Sequence, residues 1–378
     1  MKRVAFLFNH DGAHQVRHSA SVIAPLAALG FDVTVLATSD MLITAVRAVV
    51  PDGARCSFVR LELPAWHRPL VSAANLVMPF GRLDALFTHR DVLRGFDALV
   101  VTESTSLFLK RLPGFSAIKF IRVDHGAGDR SIGYGRAFAG NDLVIVAGEK
   151  QRRRFLAAGL LRPDQIAVAG YPKFDTVDLT HKPKLFADHK PVVLYNPHPE
   201  ARLSSWYGLG RDVLEFFYAS RDYNLIFAPH VMLFRRRLHI SPEFRAARWR
   251  RDIPAKYRDC PHMLIDTGSA ASLDMTYTRA ADIYLGDVSS QVYEFLIRPR
   301  PCVFLNAHGA AWRGNPDYAF WNCGLVVERV DDLRPALAAD HATYRPAQEA
   351  AVRDTFSVGE LPASTRAADA VAQYLTRT

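Results

Sequence analysis

The sequence is poor in cysteine. Its four cysteines are Cys56, Cys260, Cys302 and Cys323, and they show no CxxC pairing and no histidine partner at zinc spacing. This pattern excludes a disulfide framework and a structural zinc site. No DxD-like metal motif stands out, and nothing indicates a cofactor. We therefore expect a protein of a reducing cytoplasm that uses neither a metal nor a cofactor.

Long hydrophobic runs are also missing. No apolar stretch approaches the roughly 20 residues that a membrane-spanning helix needs. The opening stretch MKRVAFLFNHDG has a basic start, but its apolar run meets His10 and Asp11 too soon for a signal peptide. The chain lacks low-complexity tracts and short repeats, and its 378 residues, 49% of them hydrophobic, exceed what one core usually supports. Two globular domains are the expectation.

Positive charge is in excess and unevenly distributed. The formal charge is +9, concentrated in EKQRRRF (149–155) and FRRRLHISPEFRAARWRR (234–251). Such blocks attract phosphorylated substrates or an anionic membrane face, although solvated helix faces are the simpler alternative. The blocks carry no recognition motif, which argues against nucleic acid as a partner.

Apolar strand-like runs alternate with helical patterns in two series. The first series is 3–8, 32–37, 97–102, 117–122 and 142–147, and the second is 192–196, 224–228, 262–265, 281–285 and 302–306. Continuous apolar strands between helices predict parallel sheets covered on both faces. We predict an α/β chain of two Rossmann-like domains facing each other across a cleft, with ligands at the carboxyl ends of the strands.

The domain boundaries follow from a polar, proline-containing stretch near residue 180. We predict an N-terminal acceptor domain at 1–180, a linker at 181–190 and a C-terminal nucleotide-donor domain at 191–360. Residues 361–378 read as a C-terminal helix that could pack back on the N-terminal domain.

Histidines follow several predicted strands. His125, in VDHGAGDR, has an ordinary pKa near 6.5 and could take a proton from an attacking hydroxyl, or it could be a turn residue bonded to a carbonyl. Asp124 and Asp129 flank it and could orient the ring, bind an acceptor or cap a turn. His230 lies just before Arg235 and two further arginines, a combination that suits a diphosphate.

Two further loops extend this set. His198, in NPHPE, is a weaker diphosphate candidate because the loop is an ordinary proline-bounded turn. Ser289 and Ser290 in GDVSSQVYEF could donate hydrogen bonds to phosphate at a helix start, and Glu294 could accept them from ribose hydroxyls. Asp287 reads as a helix cap, and the whole stretch could be a plain cap with a surface glutamate.

Several of these segments resemble the CDP-glycerol glycerophosphotransferase family of teichoic-acid-type polymerases, which has the GT-B fold. VDHGAGDR is similar to its His-Gly motif, VAGYPKFD to its Gly-x-Pro-x-x-Asp segment, and VLYNPHPE to its loop after the linker. FAPHVML and GDVSSQVYEFLIRPRPCVFLN resemble two further motifs. The resemblance implies a catalytic base at His125, a diphosphate contact at His230 and nucleotide contacts at Ser289, Ser290 and Glu294.

The sequence also departs from that family. Val288 stands in place of a tyrosine, Glu294 in place of an aspartate, and Arg130 lies near the position where a lysine is expected. The NHDGAHQVRHS loop looks more like the acceptor loop of a sugar-nucleotide GT-B enzyme. The acceptor-side candidates are Asp11, His14, Asp124, Asp129 and Arg130.

The resemblance implies a transferase that moves a glycerophosphate-like group from a CDP-activated donor to a hydroxyl of a membrane-associated lipid or glycan. Such an enzyme would serve cell-envelope synthesis at the inner face of the cytoplasmic membrane. A nucleotide-sugar glycosyltransferase or a UDP-sugar 2-epimerase on the same scaffold is the alternative. A non-catalytic peripheral scaffold that binds anionic lipid is the alternative from another class.

Overall fold

The computed structural model describes residues 1–10, 12–63, 80–241 and 245–377. The chain divides into two compact units. The first unit contains residues 1–127, 134–177 and 354–378, and the second contains 128–133 and 178–353. The chain therefore passes into the second unit for six residues, 128–133, long before the predicted linker.

The first unit is built on a parallel sheet with the strand order β3-β2-β1-β4-β5-β6-β7. The central strands are apolar on both faces, as a sheet covered by helices requires. The strands are β1 Arg3–Phe8, β2 Asp32–Ala37, β3 Cys56–Arg60, β4 Ala98–Val101, β5 Lys119–Val123, β6 Leu143–Val146 and β7 Ile166–Val168.

Helices cover the sheet of the first unit. They are α1 Ile23–Ala28, α2 Asp40–Arg47, α3 Phe80–Thr88, α4 Arg90–Leu93 and α5 Glu149–Ala157, with 3₁₀ helices at Ala13–His18, Ala20–Val22, Thr105–Arg111, Arg136–Gly140, Pro163–Gln165 and Pro172–Thr176. A further 3₁₀ helix, Ser131–Tyr134, begins in residues 128–133 of the second unit and ends at the first residue of 134–177. The chain between β1 and β2 forms two 3₁₀ segments and α1. Gly30, shortly after α1, has φ +87°, a conformation that favours glycine.

The second unit has a parallel sheet of its own and a separate antiparallel hairpin. The sheet order is β12-β9-β8-β13-β14-β15, and β10 pairs with β11. The strands are β8 Val192–Asn196, β9 Asn224–Phe227, β10 Leu238–Ser241, β11 Ala246–Trp249, β12 Met263–Ile265, β13 Ile283–Gly286, β14 Cys302–Leu305 and β15 Leu325–Val327.

The helices of the later chain complete both units. They are α6 Gly210–Ala219, α7 Thr276–Ala280, α8 Gln291–Leu296, α9 Leu333–Ala338, α10 Arg345–Thr355 and α11 Ala363–Arg377, with 3₁₀ helices at Ala255–Tyr257, Ala270–Ser272, Pro316–Cys323, Val330–Asp332 and Ala342–Tyr344. The last helix, α11, buries Ala367, Val371 and Leu375 in the core of the first unit. Within the ranges just given, no helix has both the length and the apolarity to cross a membrane.

The predicted α/β class with two parallel sheets is confirmed, and all ten predicted strands are present with shifts of a residue or two at their ends. Five of the described strands were not predicted, namely the hairpin strands β10 and β11 and the strands β3, β7 and β15. The last three are edge strands of the two sheets. Their partly exposed or very short runs lack the continuous apolar pattern of a central strand.

Asp266, directly after β12, holds the turn that leads to α7. Its carboxylate accepts hydrogen bonds from the backbone N–H groups of Gly268 and Ser269, both at 2.9 Å, and from the hydroxyls of Ser269, Ser272 and Tyr277. Burial alone would raise the pKa of Asp266, but these bonds outweigh it and lower the pKa to about 2.

Asp266→Asn is therefore expected to flatten the acid limb of the stability profile. The folded-state pKa lies below the unfolded value of 3.8, so the stabilisation is present above about pH 4 and is lost as the pH falls towards 2. The carboxylate is only half-buried, so we expect a contribution of about 1 kcal/mol. Urea unfolding between neutral and acidic pH measures it. An unchanged acid limb in Asp266→Asn, or an equal effect of Asp259→Asn at an exposed site, would contradict the assignment.

Candidate functional site

In both sheets, polar side chains meet where the strand order reverses. The reversal lies between β1 and β4 in the first sheet and between β8 and β13 in the second. His10 follows β1 and bonds to Thr102, which follows β4, through Nε2 and Oγ1 at 2.8 Å. His198 follows β8, and its backbone N–H donates to Asp287, which follows β13, at 2.9 Å. Ligands of open α/β sheets bind at such switch points.

Thr102 fixes the tautomer of the neutral His125 ring. The Nδ1 atom of His125 lies 2.8 Å from the carbonyl oxygen of Thr102. A carbonyl oxygen can only accept, so Nδ1 must carry the hydrogen, and in the neutral ring Nε2 is then the basic nitrogen. The hydroxyl of the same Thr102 donates to Gln15 at 3.0 Å and accepts from His10. One residue thus positions two imidazoles.

The histidines of the first unit form a cluster. The rings of His18 and His125 lie edge to face, 6.2 Å apart, and His18 also contacts Tyr171 at 5.2 Å. Burial, with smaller contributions from nearby cations and histidines, lowers the pKa of His10 and of His18 well below the ordinary value. Both imidazoles are therefore neutral at pH 7.

The surroundings of His125 favour its neutral form. Although 36% of its side chain remains exposed, desolvation lowers the pKa of His125, and the nearby Asp124 carboxylate opposes that shift only in part. A histidine with a lowered pKa is unprotonated at neutral pH, as a general base must be. The cluster can therefore remove a proton from a bound hydroxyl.

The loop that carries His125 is held by the carboxylate of Asp124. Asp124 accepts from Arg122 at 3.2 Å, from Gln151 at 2.7 Å and from the backbone N–H of His125 at 3.1 Å. Its nearest oxygen is 4.0 Å from Nδ1 of His125, beyond hydrogen-bond distance. The ring is therefore oriented by Thr102, and Asp124 fixes the backbone beneath it.

Two histidines of the second unit have the opposite protonation pattern. Nδ1 of His198 accepts the backbone N–H of Glu200 at 3.0 Å, and Nδ1 of His230 accepts that of Met232 at 3.3 Å. A backbone N–H can only donate, so the hydrogen of each neutral ring is on Nε2. The two rings lie 6.2 Å apart. Together they offer a pair of donors to an anion.

Residues 128–133 bring further groups to the second unit. A Cβ on Gly128 would lie only 3.0 Å from Cβ of Ser290, so the close approach requires glycine here. Asp129 is buried, and its Oδ2 accepts from the hydroxyl of Tyr293 at 2.6 Å and from the backbone N–H of Phe320 at 3.1 Å. The pKa of His198 lies well below the ordinary value, mainly because the ring is buried. The nearby His230 and Arg130 lower this pKa further.

Asp287 is buried and holds backbone groups of this site by hydrogen bonds. It is not the helix cap expected from the sequence. Its two carboxylate oxygens accept the backbone N–H groups of His198, Ser205 and Val288 and the hydroxyl of Ser205, at 2.6–2.9 Å. Burial raises the pKa of Asp287, and these hydrogen bonds oppose the rise. The residue before α8 is Ser290, whose side chain makes no capping bond.

The serine-glutamate stretch after β13 is largely inside the protein. Ser289 is buried and its Oγ accepts the N–H of Gln291 at 3.3 Å, whereas Ser290 is exposed beside Gly128. Glu294 is 6% exposed, so it is not the surface glutamate of the simpler alternative. Burial raises the pKa of Tyr284, the charge of Asp287 adds to the rise, and Glu294 makes a smaller contribution.

The remaining predicted site residues lie in different places. Asp11 is outside the described residues. His14 lies in the first unit, close enough to His10 and His18 to influence their pKa values. Asp129 and Arg130, expected on the acceptor side, belong to the second unit, and Arg235 is on an exposed segment that leads into the β10–β11 hairpin.

Sequence reasoning missed Thr102, His10, His18 and Tyr171. His14 and His18 stand one helical turn apart, and His10 directly follows a strand, so their spacing carried a usable signal. Nothing in the sequence marks Thr102, which contacts His125 through its backbone carbonyl and His10 through its hydroxyl. Among the described residues, no group of histidine, cysteine and carboxylate side chains is arranged to hold a metal ion.

The two Rossmann-like units and the comparison with solved structures define a GT-B fold. The MnaA protein of S. aureus, solved with UDP, matches with a TM-score of 0.65 and 14% identity over 100% of this chain and 98% of that chain. The wall teichoic acid polymerase TagF matches with a TM-score of 0.62 and 14% identity over 100% of this chain and 90% of that chain.

A third match is the UDP-GlcNAc 2-epimerase of Neisseria meningitidis bound to UDP-GlcNAc, with a TM-score of 0.54 and 12% identity over 100% of both chains. Neither a protein-family model nor a curated protein sequence matches this chain. At identities this low, the structural similarity establishes the fold alone, and the reaction must be argued from the site.

Proposed function

We propose that the protein is a GT-B transferase that moves a polyol-phosphate group from a CDP-activated donor to a hydroxyl of a lipid or glycan acceptor. The reaction would serve cell-envelope synthesis at the inner face of the cytoplasmic membrane. One observation carries the proposal, namely the opposite protonation patterns of the histidines in the two units. His125 presents a basic nitrogen, whereas His198 and His230 present N–H donors.

Each pattern suits one half of a phosphoryl transfer. Nε2 of His125 removes the proton of the acceptor hydroxyl, and the acceptor oxygen forms a bond to the β-phosphorus of the donor. The bond between that phosphorus and the bridging oxygen breaks, and CMP leaves with the electron pair. The Nε2–H groups of His198 and His230 donate hydrogen bonds that stabilise the charge developing on the leaving phosphate.

The nucleotide itself is assigned to residues around α8. Ser290 is exposed and can donate to phosphate, and Glu294 has a carboxylate suited to ribose hydroxyls. Arg130, whose charge is felt at His198, adds a guanidinium to the diphosphate contacts, whereas the exposed Arg235 is a weaker candidate. The asymmetry of an unprotonated base in one unit and donors in the other also supports an enzyme over a non-catalytic scaffold.

The structural neighbours keep a second candidate open. MnaA was solved with UDP, and the Neisseria enzyme is a UDP-GlcNAc 2-epimerase bound to UDP-GlcNAc. On this alternative the protein acts on a UDP-sugar, and the histidines of the first unit, His14 among them, serve chemistry at the sugar. The neighbour TagF and the histidine arrangement favour the CDP-polyol donor.

Nucleotide preference separates these candidates. We expect CDP to raise the melting temperature of the protein and UDP to have little effect, because ligands stabilise the folded state in proportion to their occupancy. Ser290→Ala combined with Glu294→Gln should remove the shift, and Ser357→Ala in the first unit is the matched control. Stabilisation by UDP alone would favour the UDP-sugar enzyme, and the absence of a shift with either nucleotide would contradict both.

A donor screen then tests the reaction. CDP-glycerol, CDP-ribitol and several UDP-sugars are incubated with acceptor, and release of nucleotide is measured. CMP release from a CDP-polyol that depends on His125 would support the transferase, whereas turnover of UDP-sugars only would overturn it.

A further inference from the structure

The β10–β11 hairpin of the second unit has one face attached to the protein. His239 contacts the backbone carbonyls of Leu233 and Arg236 through Nε2, at 2.9 and 3.1 Å. Just after β11, the guanidinium of Arg250 lies over the ring of Phe234, 4.3 Å from its centre, and its side chain is only 6% exposed. A lone two-stranded hairpin is only marginally stable in water. These contacts stabilise the hairpin and fix its orientation.

The other face of the hairpin is apolar and exposed. Leu238 pairs with Trp249 and Ile240 pairs with Ala247, so all four side chains lie on the same face. The exposed fractions are 70% for Trp249, 59% for Ile240 and 37% for Leu238, and Ala247 is also exposed. The surface of a soluble protein rarely has a cluster of apolar side chains of this size unless the cluster binds a partner. We call these four residues the apolar face.

Arginines surround the apolar face. Seven arginines and two acids occur between residues 234 and 252. Five of the arginines are exposed on or beside the hairpin, Arg235, Arg236, Arg245, Arg248 and Arg251. The described acid in this stretch, Asp252, is engaged by Arg237 at 3.3 Å and by Arg250 at 2.9 Å. The charge around the face is therefore strongly positive, which disfavours docking of a second copy of the same basic surface.

We propose that the β10–β11 hairpin is a membrane-docking element that inserts its apolar face into the headgroup region of an anionic phospholipid surface. Tryptophan is favoured at this depth because its ring is apolar while its N–H remains hydrated. The exposed arginines bind lipid phosphates, because basic side chains are attracted to an anionic membrane surface. The lipid surface is where the proposed transferase would meet its acceptor. Docking of the hairpin to lipid does not itself depend on the transfer reaction.

Vesicle binding by the full chain tests this element. We expect the protein to float with phosphatidylcholine vesicles that contain phosphatidylglycerol, and to bind pure phosphatidylcholine vesicles at least about tenfold more weakly. Ile240→Ser with Trp249→Ser should weaken binding to the anionic vesicles about tenfold or more, because the apolar insertion is lost. Arg235→Glu with Arg251→Glu should do the same, because both arginines are exposed beside the hairpin.

Matched variants control for general effects of the substitutions. Leu361→Ser changes an exposed apolar residue of the first unit, and Arg353→Glu reverses an exposed charge of the second unit away from the hairpin. Both should bind vesicles as the unsubstituted protein does. The hairpin substitutions are at exposed positions, so the melting temperature should stay unchanged.

Lipid contact can also be read directly. Brominated lipids should quench the fluorescence of the protein, and Trp249→Phe should abolish most of that quenching, because the other tryptophans lie elsewhere in the chain. Equal vesicle binding by the hairpin variants and the unsubstituted protein would overturn the proposal. So would a dimer in solution that dissociates in the Ile240→Ser and Trp249→Ser variant without any vesicle binding. Measurements without donor nucleotide keep the outcome separate from the transfer reaction.

Discussion

His125→Ala is expected to lower turnover about a thousandfold while leaving donor binding unchanged. A general base contributes about 10²–10⁴-fold to a rate, and the nucleotide contacts are assigned to other residues. The measurement is kcat and KM with the preferred donor, together with the nucleotide-induced rise in melting temperature. Added imidazole should restore part of the activity of His125→Ala, since the substitution leaves room for a free ring.

The pH dependence gives an independent check on the same residue. The pKa of His125 is lowered, mainly by desolvation, so kcat/KM should rise with pH, level off by neutrality and have its midpoint below 6.5. His181→Ala, at an exposed site, should retain the full rate and the same profile. Full activity in His125→Ala, or a loss of donor binding equal to the loss of rate, would show that His125 is not the base.

Asp287→Ala is expected to destabilise the second unit by about 3 kcal/mol or more, because several buried N–H and O–H donors would lose their acceptor. The four bonds to Asp287 come from His198, Ser205 and Val288, so the loops after β8 and β13 would loosen together. For a unit of this size the melting temperature should fall by about 6–12 °C. Thermal and urea unfolding measure the effect.

Asp282→Ala is the matched control for that result. Asp282 also accepts a backbone N–H, that of Val192 at 3.0 Å, and it pairs with Lys182 at 2.5 Å, but its side chain is 40% exposed. Solvent can replace much of what it provides, so a loss of about 1 kcal/mol or less is expected. Equal losses in the two variants would mean that burial at Asp287 adds nothing.

The sheets were predictable because their central strands are buried on both faces. Runs such as Leu143–Val146 and Cys302–Leu305 are apolar at every position, which a parallel sheet between helices requires and a half-exposed strand does not. The edge strand Cys56–Arg60 is exposed along one side and carries a charged end, so the same criterion passes over it. The sequence pattern thus predicts the central strands of the sheets well and the edge strands much less well.

The candidate site was predictable at the level of residue types. His125, His198 and His230 were selected because they follow strands, and the structure places them at the ends of β5, β8 and β9. Which ring nitrogen carries the hydrogen could not be predicted for these histidines. In each case it is set by a backbone carbonyl or N–H of another loop residue. The same limit explains Asp287, whose acceptor role depends on two loops separated by more than 80 residues in the chain.

The position of α11 has a consequence for how the protein is made. A ribosome releases the chain from its N-terminus, yet the interior of the first unit needs Ala367, Val371 and Leu375. The earlier strands of this unit must therefore remain partly uncovered until α11 has been synthesised. A fragment that ends within residues 181–190 would lack this helix. We therefore expect that the parts of the chain before and after this segment do not refold as separate soluble fragments.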